Sequence, residues 1–310
     1  MSHRHVTTAL QRATTQDLLR AVGVENRPLL AKLLRRPVTL ITRGVVREAA
    51  EFESCVSVEG LCAASKQYLS RLGATLNLHA ANEIPSDGPL LIVANHPGLS
   101  DTLALFSAIR REDLLIIADA NPFLEALASV RKQLILLPDG HAQKGFSLRT
   151  AVRHLRQDGA LLTFPSGQIE PDPGLYPEEA VTSLKNWSES LTVLTRAVPG
   201  VRVVPLLVSG VIHPDVQKHW LTRIRRDRRG HDQVAVYLQL LLKRFQGVAV
   251  RVHVGRTIEP NDSLLADVRM EMTRLIRTST GECRQQVKVM NVEQEVAVRE
   301  LTPPKLQPPA

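Results

Sequence analysis

The sequence predicts an α/β protein: a largely parallel sheet covered by helices on both faces, preceded by an N-terminal helical region. Three observations carry this reading. From residue 89 onward, short apolar runs bounded by turn residues alternate with longer helical segments, the pattern of successive βα units. Before about residue 74 there is no period-two alternation, only apolar residues at helical spacing. At 310 residues the chain exceeds the roughly 250–300 at which a single core stops growing, which favours one large domain with a smaller appendage. The expected division is a helical region over 1–80, an α/β domain over 81–280, and an extended or disordered tail over 281–310.

In the N-terminal region, Leu18, Leu19 and Val22, then Leu29, Leu30, Leu33 and Leu34, fall at spacings that share a helix face. Lys32, Arg35 and Arg36 flank the second group, and Pro28 and Pro37 are read as bounding this short amphipathic helix. Such a piece fits a membrane interface, although a segment of this kind is more often simply the outer helix of a small bundle. Helical patterns resume over 38–50 and 59–73, followed by a strand over 74–79 and a loop over 84–88. Apolar strands are then expected near 90–94, 114–118, 134–137, 160–164, 202–208 and 248–254. The helices between and after them lie near 100–110, 121–131, 145–157, 181–197, 233–245 and 262–278. Pro303, Pro304, Pro308 and Pro309 mark the tail.

Net charge is +8, concentrated in two blocks. Residues 1–47 hold nine Lys/Arg against Asp17 and Glu25, and residues 216–256 hold ten against Asp227 and Asp232. Such blocks attract polyanions, although each alone also fits a solvated face. Aromatics are only 4% of the chain, too few for base-stacking platforms, so an anionic membrane surface is a better partner than nucleic acid, which is not expected. Three cysteines (Cys55, Cys62, Cys283) without metal-ligand spacing predict reduced thiols in a cytoplasmic compartment. No run approaches the ~18 apolar residues of a membrane span, and the start does not resemble a secretory signal. The expected location is cytoplasmic, peripheral on the inner face of a membrane.

The residues with chemical potential lie at strand ends, where open α/β sheets bind ligands. After the run 90–94 comes Asn95-His96-Pro97-Gly98-Leu99-Ser100-Asp101. Imidazole suits proton removal near neutral pH, and a carboxylate on one ring nitrogen would fix its tautomer and leave the other facing substrate. Taken alone, such a pair also fits a histidine that merely caps a turn. A second strand ends in Phe164-Pro165-Ser166-Gly167, followed by Glu170 and Asp172. Gly167 permits close backbone approach, and the two acids join the same sheet edge. Ser166 lacks the Gly-x-Ser-x-Gly elbow, which excludes a serine hydrolase. A third strand carries the internal Pro205, a residue placed to shape a pocket wall.

Asn-His-x4-Asp, then Phe-Pro-Ser-Gly, then Val203-Val204-Pro205, in that order over about residues 85–260, resembles the glycerolipid acyltransferase family, the glycerol-3-phosphate and 1-acylglycerol-3-phosphate acyltransferases. The resemblance implies that His96 and Asp101 are the catalytic dyad. It implies substrate binding by Asn95, Phe164, Pro165, Ser166, Gly167, Glu170 and Pro205. The co-substrate would be an acyl thioester on CoA or acyl-carrier protein, with no metal and no cofactor, and the acceptor a hydroxyl of a glycerol-phosphate-type lipid.

Two motifs depart from the family pattern. Ser166 and Ile169 stand where the family has Glu and Arg, and the second family motif, which ends in Arg, corresponds to 134–140 here, where Asp139 follows Pro138. Phosphate sites favour arginine for its bidentate fork; Lys144 or Arg149 could substitute, although the place of each on a helix surface is the more ordinary reading. The missing arginines motivate an alternative, a non-catalytic lipid- or acyl-carrier-binding protein that retains the fold; the intact His96/Asp101 pair argues against it.

Overall fold

A computed structural model describes residues 3–24, 26–138, 141–225 and 228–281. The expected tail therefore lies outside the described residues. At the N-terminus, α1 (His3–Ala21) lies against α2 (Pro28–Arg71), and α2 packs in turn on α3 (Ser100–Ala108). Here the reading of Pro37 as a boundary is corrected. One helical stretch runs from Pro28 through Pro37 and the expected 38–50 segment as far as Gly60, whose non-helical backbone (φ 82°, ψ 168°) makes a kink, and a second stretch follows it to Arg71 where a separate helix was expected over 59–73. Pro37 removes one backbone donor, and the carbonyl it frees belongs to exposed Leu33, on the side open to solvent.

The sheet has the order β1 (Thr75–His79), β7 (Ala249–Val254), β6 (Arg202–Ser209), β2 (Leu90–Ala94), β5 (Ala160–Thr163), β3 (Leu115–Asp119), β4 (Leu134–Leu137). Every neighbouring pair is parallel except β6 and β7. Helices cover both faces, as alternating βα units require. On one face, Leu90, Ile92, Ala94, Leu162, Val204 and Val252 pack beneath α2, α3 and α10 (Arg228–Leu241). Leu91, Val93, Leu161, Val203 and Leu207 face the other way. They meet α6 (His141–Leu155), α7 (Pro177–Ser183), α8 (Ser190–Ala197) and α11 (264–281). Short helices α4 (Pro122–Ala126), α5 (Ala128–Arg131) and α9 (Pro214–Gln217) complete the connections. The single helix expected at 121–131 is split in two, with Leu127 non-helical between the parts. Likewise, the one expected at 181–197 is broken around Trp187.

Central β2 places the His96 loop between the loops leaving β5 and β6. The three motifs are separated along the chain, yet they lie on three adjacent parallel strands: the first two follow the ends of β2 and β5, and Val203-Val204-Pro205 lies within β6. Gly210 ends β6 at φ 72°, and a Cβ there would lie 2.4 Å from the Ala249 carbonyl oxygen. Gly44, inside α2, has open space around it. Gly210→Ala is therefore expected to lower stability by about 2 kcal/mol or more, whereas Gly44→Ala raises it by about 0.5–1 kcal/mol. Urea unfolding of both variants checks the contrast.

Candidate active site

Pro97 and Gly98 end the extended path of β2, and α3 begins at Ser100. Asp101 is thereby set in the first turn of α3, where the helix dipole favours a negative charge. It is fully buried and accepts four hydrogen bonds. Oδ2 takes the Gly98 N–H at 3.0 Å and His96 Nδ1 at 2.8 Å, and Oδ1 takes the Thr102 N–H and, at 3.0 Å, the Thr102 hydroxyl. A carboxylate surrounded by donors is an acceptor, so the proton sits on His96 Nδ1 and Nε2 keeps its lone pair. The His96 side chain stays 30% exposed. Phe164 packs beside the imidazole with ring centroids 4.7 Å apart, limiting its rotation.

Burial pulls the His96 pKa down, but the Asp101 charge, the Asp101 hydrogen bond and the Glu170 charge outweigh it, leaving the pKa raised. The result is a base with an accessible nitrogen, oriented from behind by a carboxylate.

Several residues expected to bind substrate have other work. The Asn95 side chain is 4% exposed and pairs with one residue of β6: Nδ2 donates to the Val208 carbonyl at 2.9 Å, and Oδ1 accepts the Val208 N–H at 2.8 Å. It continues the β2–β6 ladder by one rung, and its burial there turns it toward the scaffold. Glu170 is 3% exposed, with Oε1 accepting from Trp187 Nε1 and Ser183 Oγ and Oε2 from the His96 N–H. Burial pushes its carboxyl pKa up, further than these donors pull it down. It is held behind the site and does not line it.

Pro205 is also buried. Its carbonyl accepts the Gly255 N–H at 2.8 Å, just where β7 has ended at Val254. The missing proline N–H therefore falls where the β6–β7 ladder breaks, and by strand alternation the ring shares the face of Val203 and Leu207. Pro165 is buried beneath its turn, its carbonyl accepting from the Ser188 N–H.

The remaining predicted residues occupy the open side. Residues 164–167 form a tight turn in which the Gly167 N–H donates to the Phe164 carbonyl at 3.0 Å, with Gly167 exposed at φ 60°. Ser166 Oγ donates to the Gln168 carbonyl at 2.8 Å and closes the same turn. Lys144 is exposed on α6 behind edge strand β4, three strands from β2, and takes no part in the hydrogen bonds of the dyad. Asp139 lies outside the described residues.

Asp172 has a role its position in the sequence did not reveal. Fully desolvated, it accepts the N–H groups of Gly174, Gly210, Val211 and Ile212 at 2.7–2.9 Å, tying the loop after β5 to the end of β6. Only the buried, Pro- and Gly-rich character of its turn hinted at this.

Residues 75–209 match the model of a family described as Acyltransferase. Over that span the chain is similar to the acyltransferase family. The matched span runs from β1 to the end of β6, so it contains the dyad, the 164–167 turn and Pro205. Among solved structures, the 1-acyl-sn-glycerophosphate acyltransferase PlsC of Thermotoga maritima is similar at 15% identity. That match covers 92% of this chain and 97% of that one, with a TM-score of 0.41, too distant to carry weight here. No curated protein matches the chain.

The Asn95 pairing has a direct consequence. Asn95→Ala leaves the Val208 N–H and carbonyl buried without partners, at about 1–3 kcal/mol each. Chemical denaturation should show that loss, with KM for substrate nearly unchanged; a ligand-binding asparagine would show the reverse.

Proposed function

We propose that this protein transfers a fatty acyl group from a thioester, acyl-CoA or acyl-carrier protein, to a hydroxyl of a glycerol-phosphate-type lipid. The observation that supports it is the hydrogen-bonded His96–Asp101 pair with Nε2 left accessible at the centre of the sheet edge. His96 Nε2 takes the acceptor's hydroxyl proton as its oxygen forms the ester C–O bond with the thioester carbonyl carbon. Asp101 holds the imidazolium so formed. When the tetrahedral intermediate collapses, the C–S bond breaks and the thiolate recovers that proton from His96 as it leaves. A thioester is already activated, so the reaction needs neither a metal nor a covalent enzyme intermediate. Of two candidate oxyanion donors, the Gly167 N–H is occupied by Phe164, which favours the turn after His96. There the Leu99 N–H has no partner among the described residues.

His96→Ala is expected to lower turnover by ~10²–10⁴-fold with folding intact. Wild-type-like release of free thiol by the purified variant would refute the mechanism. Since the raised pKa keeps His96 protonated to higher pH, kcat/KM should fall on acidification through a midpoint above the ordinary histidine range. Asp101→Asn removes the charge that raises it, so the midpoint should move down while kcat drops.

The acceptor lipid and product reside in a bilayer, and we propose that α2 brings the enzyme there. Leu29, Leu33, Leu40 and Ile41 are 85%, 73%, 57% and 56% exposed along α2, beside exposed Lys32, Arg36, Arg43 and Arg47. No helix of the described residues is long and apolar enough to cross a membrane, and an apolar stripe edged with cations suits a helix lying in the interface. Co-sedimentation with phosphatidylglycerol vesicles should weaken with salt and on Leu29→Glu/Leu33→Glu. Binding indifferent to both would return the stripe to an ordinary solvated face.

A further inference from the structure

We infer that Glu170 is a positioning residue for His96, fixing the backbone of the base from a neighbouring strand loop. The inference rests on the reading of His96 as general base. Its ground is a reciprocal pair of hydrogen bonds between residues 74 positions apart. The Glu170 N–H donates to the His96 carbonyl at 2.8 Å, and the His96 N–H donates to Glu170 Oε2 at 3.2 Å. Both backbone polar groups of the base are thus held by one residue of another loop.

That residue is itself immobilised. Oε1 accepts Trp187 Nε1–H at 2.8 Å and Ser183 Oγ–H at 3.0 Å, so the segment between α7 and α8 supports the loop that supports His96. Three donors converge on the two oxygens. A carboxylate, acceptor-only with room for about four donors, fits such a site, whereas the amide of a glutamine would turn a donor toward one of them. The chain has a serine at 166, where the family it resembles has glutamate, and the carboxylate that reaches the His96 loop is four residues further on.

Position and charge act together. The charged groups acting on the imidazole are Asp101, from α3, and Glu170, from the loop after β5; the neighbouring Phe164 ring is neutral. Glu170 therefore sets the place of His96 through its backbone and contributes to its proton affinity through space. A purely structural glutamate would affect folding and rate without moving a pH midpoint.

The test is Glu170→Gln and Glu170→Asp beside the wild type and His96→Ala, with kcat, KM and the pH dependence of kcat/KM measured on an acyl-CoA and lysophosphatidic acid. Folded Glu170→Gln is expected to lose about tenfold or more in kcat, to hold KM within about twofold, and to shift the acid midpoint to lower pH. Glu170→Asp keeps the charge but shortens the reach by a methylene, so it should retain the midpoint and lose kcat. Unchanged kcat and midpoint in folded Glu170→Gln would overturn the inference; should that variant not fold, wild-type kcat in Glu170→Asp would do so. An active His96→Ala would instead remove the general-base reading itself, which separates the two failures.

Discussion

A parallel sheet delivers strand ends to one edge, but it does not hold the loops that leave them. Here three buried side chains do. Asn95 adds a rung between β2 and β6, Glu170 clamps the β2 loop to the β5 loop, and Asp172 gathers four N–H groups to join the β5 loop to β6. Each connects a different pair, so the three loops form a closed triangle around His96. Their apolar surroundings make this polar cross-linking obligatory, because a backbone group buried without a partner costs as much as a lost hydrogen bond. Burial raises the pKa of both carboxyls, and the donors around them offset part of that penalty. The gain is a base whose backbone is fixed before substrate arrives, the kind of preorganisation on which rate depends.

The dyad shows the same division between a rigid rear and an open front. Asp101 spends all its acceptor capacity inside the protein, on Gly98, Thr102 and His96. The front is the exposed Gly167 turn, half-buried Ser166 and the accessible part of His96. Departures from the family pattern fall unevenly across this division. His96 and Asp101 are kept, while Ser166 and Ile169 replace the family's glutamate and arginine in the turn that faces outward. On the proposed mechanism, proton transfer would depend on the rear and acceptor recognition on the front. A chain could then change the acceptor it takes without disturbing how a hydroxyl is activated.

Much of the fold was legible because parallel strands covered on both faces must be apolar at nearly every position. Leu90 to Ala94 is wholly buried and could be read from composition alone. Direction was less legible. The reversal of β7 follows a segment containing α10 that resembles any crossover helix, and nothing local distinguishes a return beside β6 in the opposite sense. The same limit applies to the site. His96 and Asp101 are five positions apart, so a strand end and one helical turn suffice to suggest their meeting. Asn95 meets a partner 113 residues away and Glu170 one 74 away, distances set by register and loop packing rather than by spacing. Sequence alone therefore makes substrate ligands of both, since a polar residue beside such a motif looks the same whether it faces substrate or scaffold. Pro37 misled for the opposite reason: the local rule was sound, but solvent at the freed carbonyl removes the cost it presumes.

The length of α2 connects the fold to the membrane proposal. The stretch of α2 before the Gly60 kink alone spans about 48 Å, well beyond what the sheet can cover. The C-terminal part joins the main core through Val56, Leu61 and Leu69, while the N-terminal part shares a separate small cluster with Leu18, Leu19 and Val24 of the first helical segment and its turn. Val38 faces that cluster, and Tyr237 and Leu241 of α10 close it. Leu29, Leu33 and Leu40 point the opposite way, so folding gains nothing from them. Burying a leucine is worth about 1.5–3 kcal/mol, and a helix whose second apolar stripe is flanked by arginines carries that unrealised energy together with an attraction for anionic headgroups. An enzyme with the lipid acceptor and product proposed above would have a use for both. The same helix that supports α3, and through it Asp101, thus presents the surface by which a bilayer would orient the site.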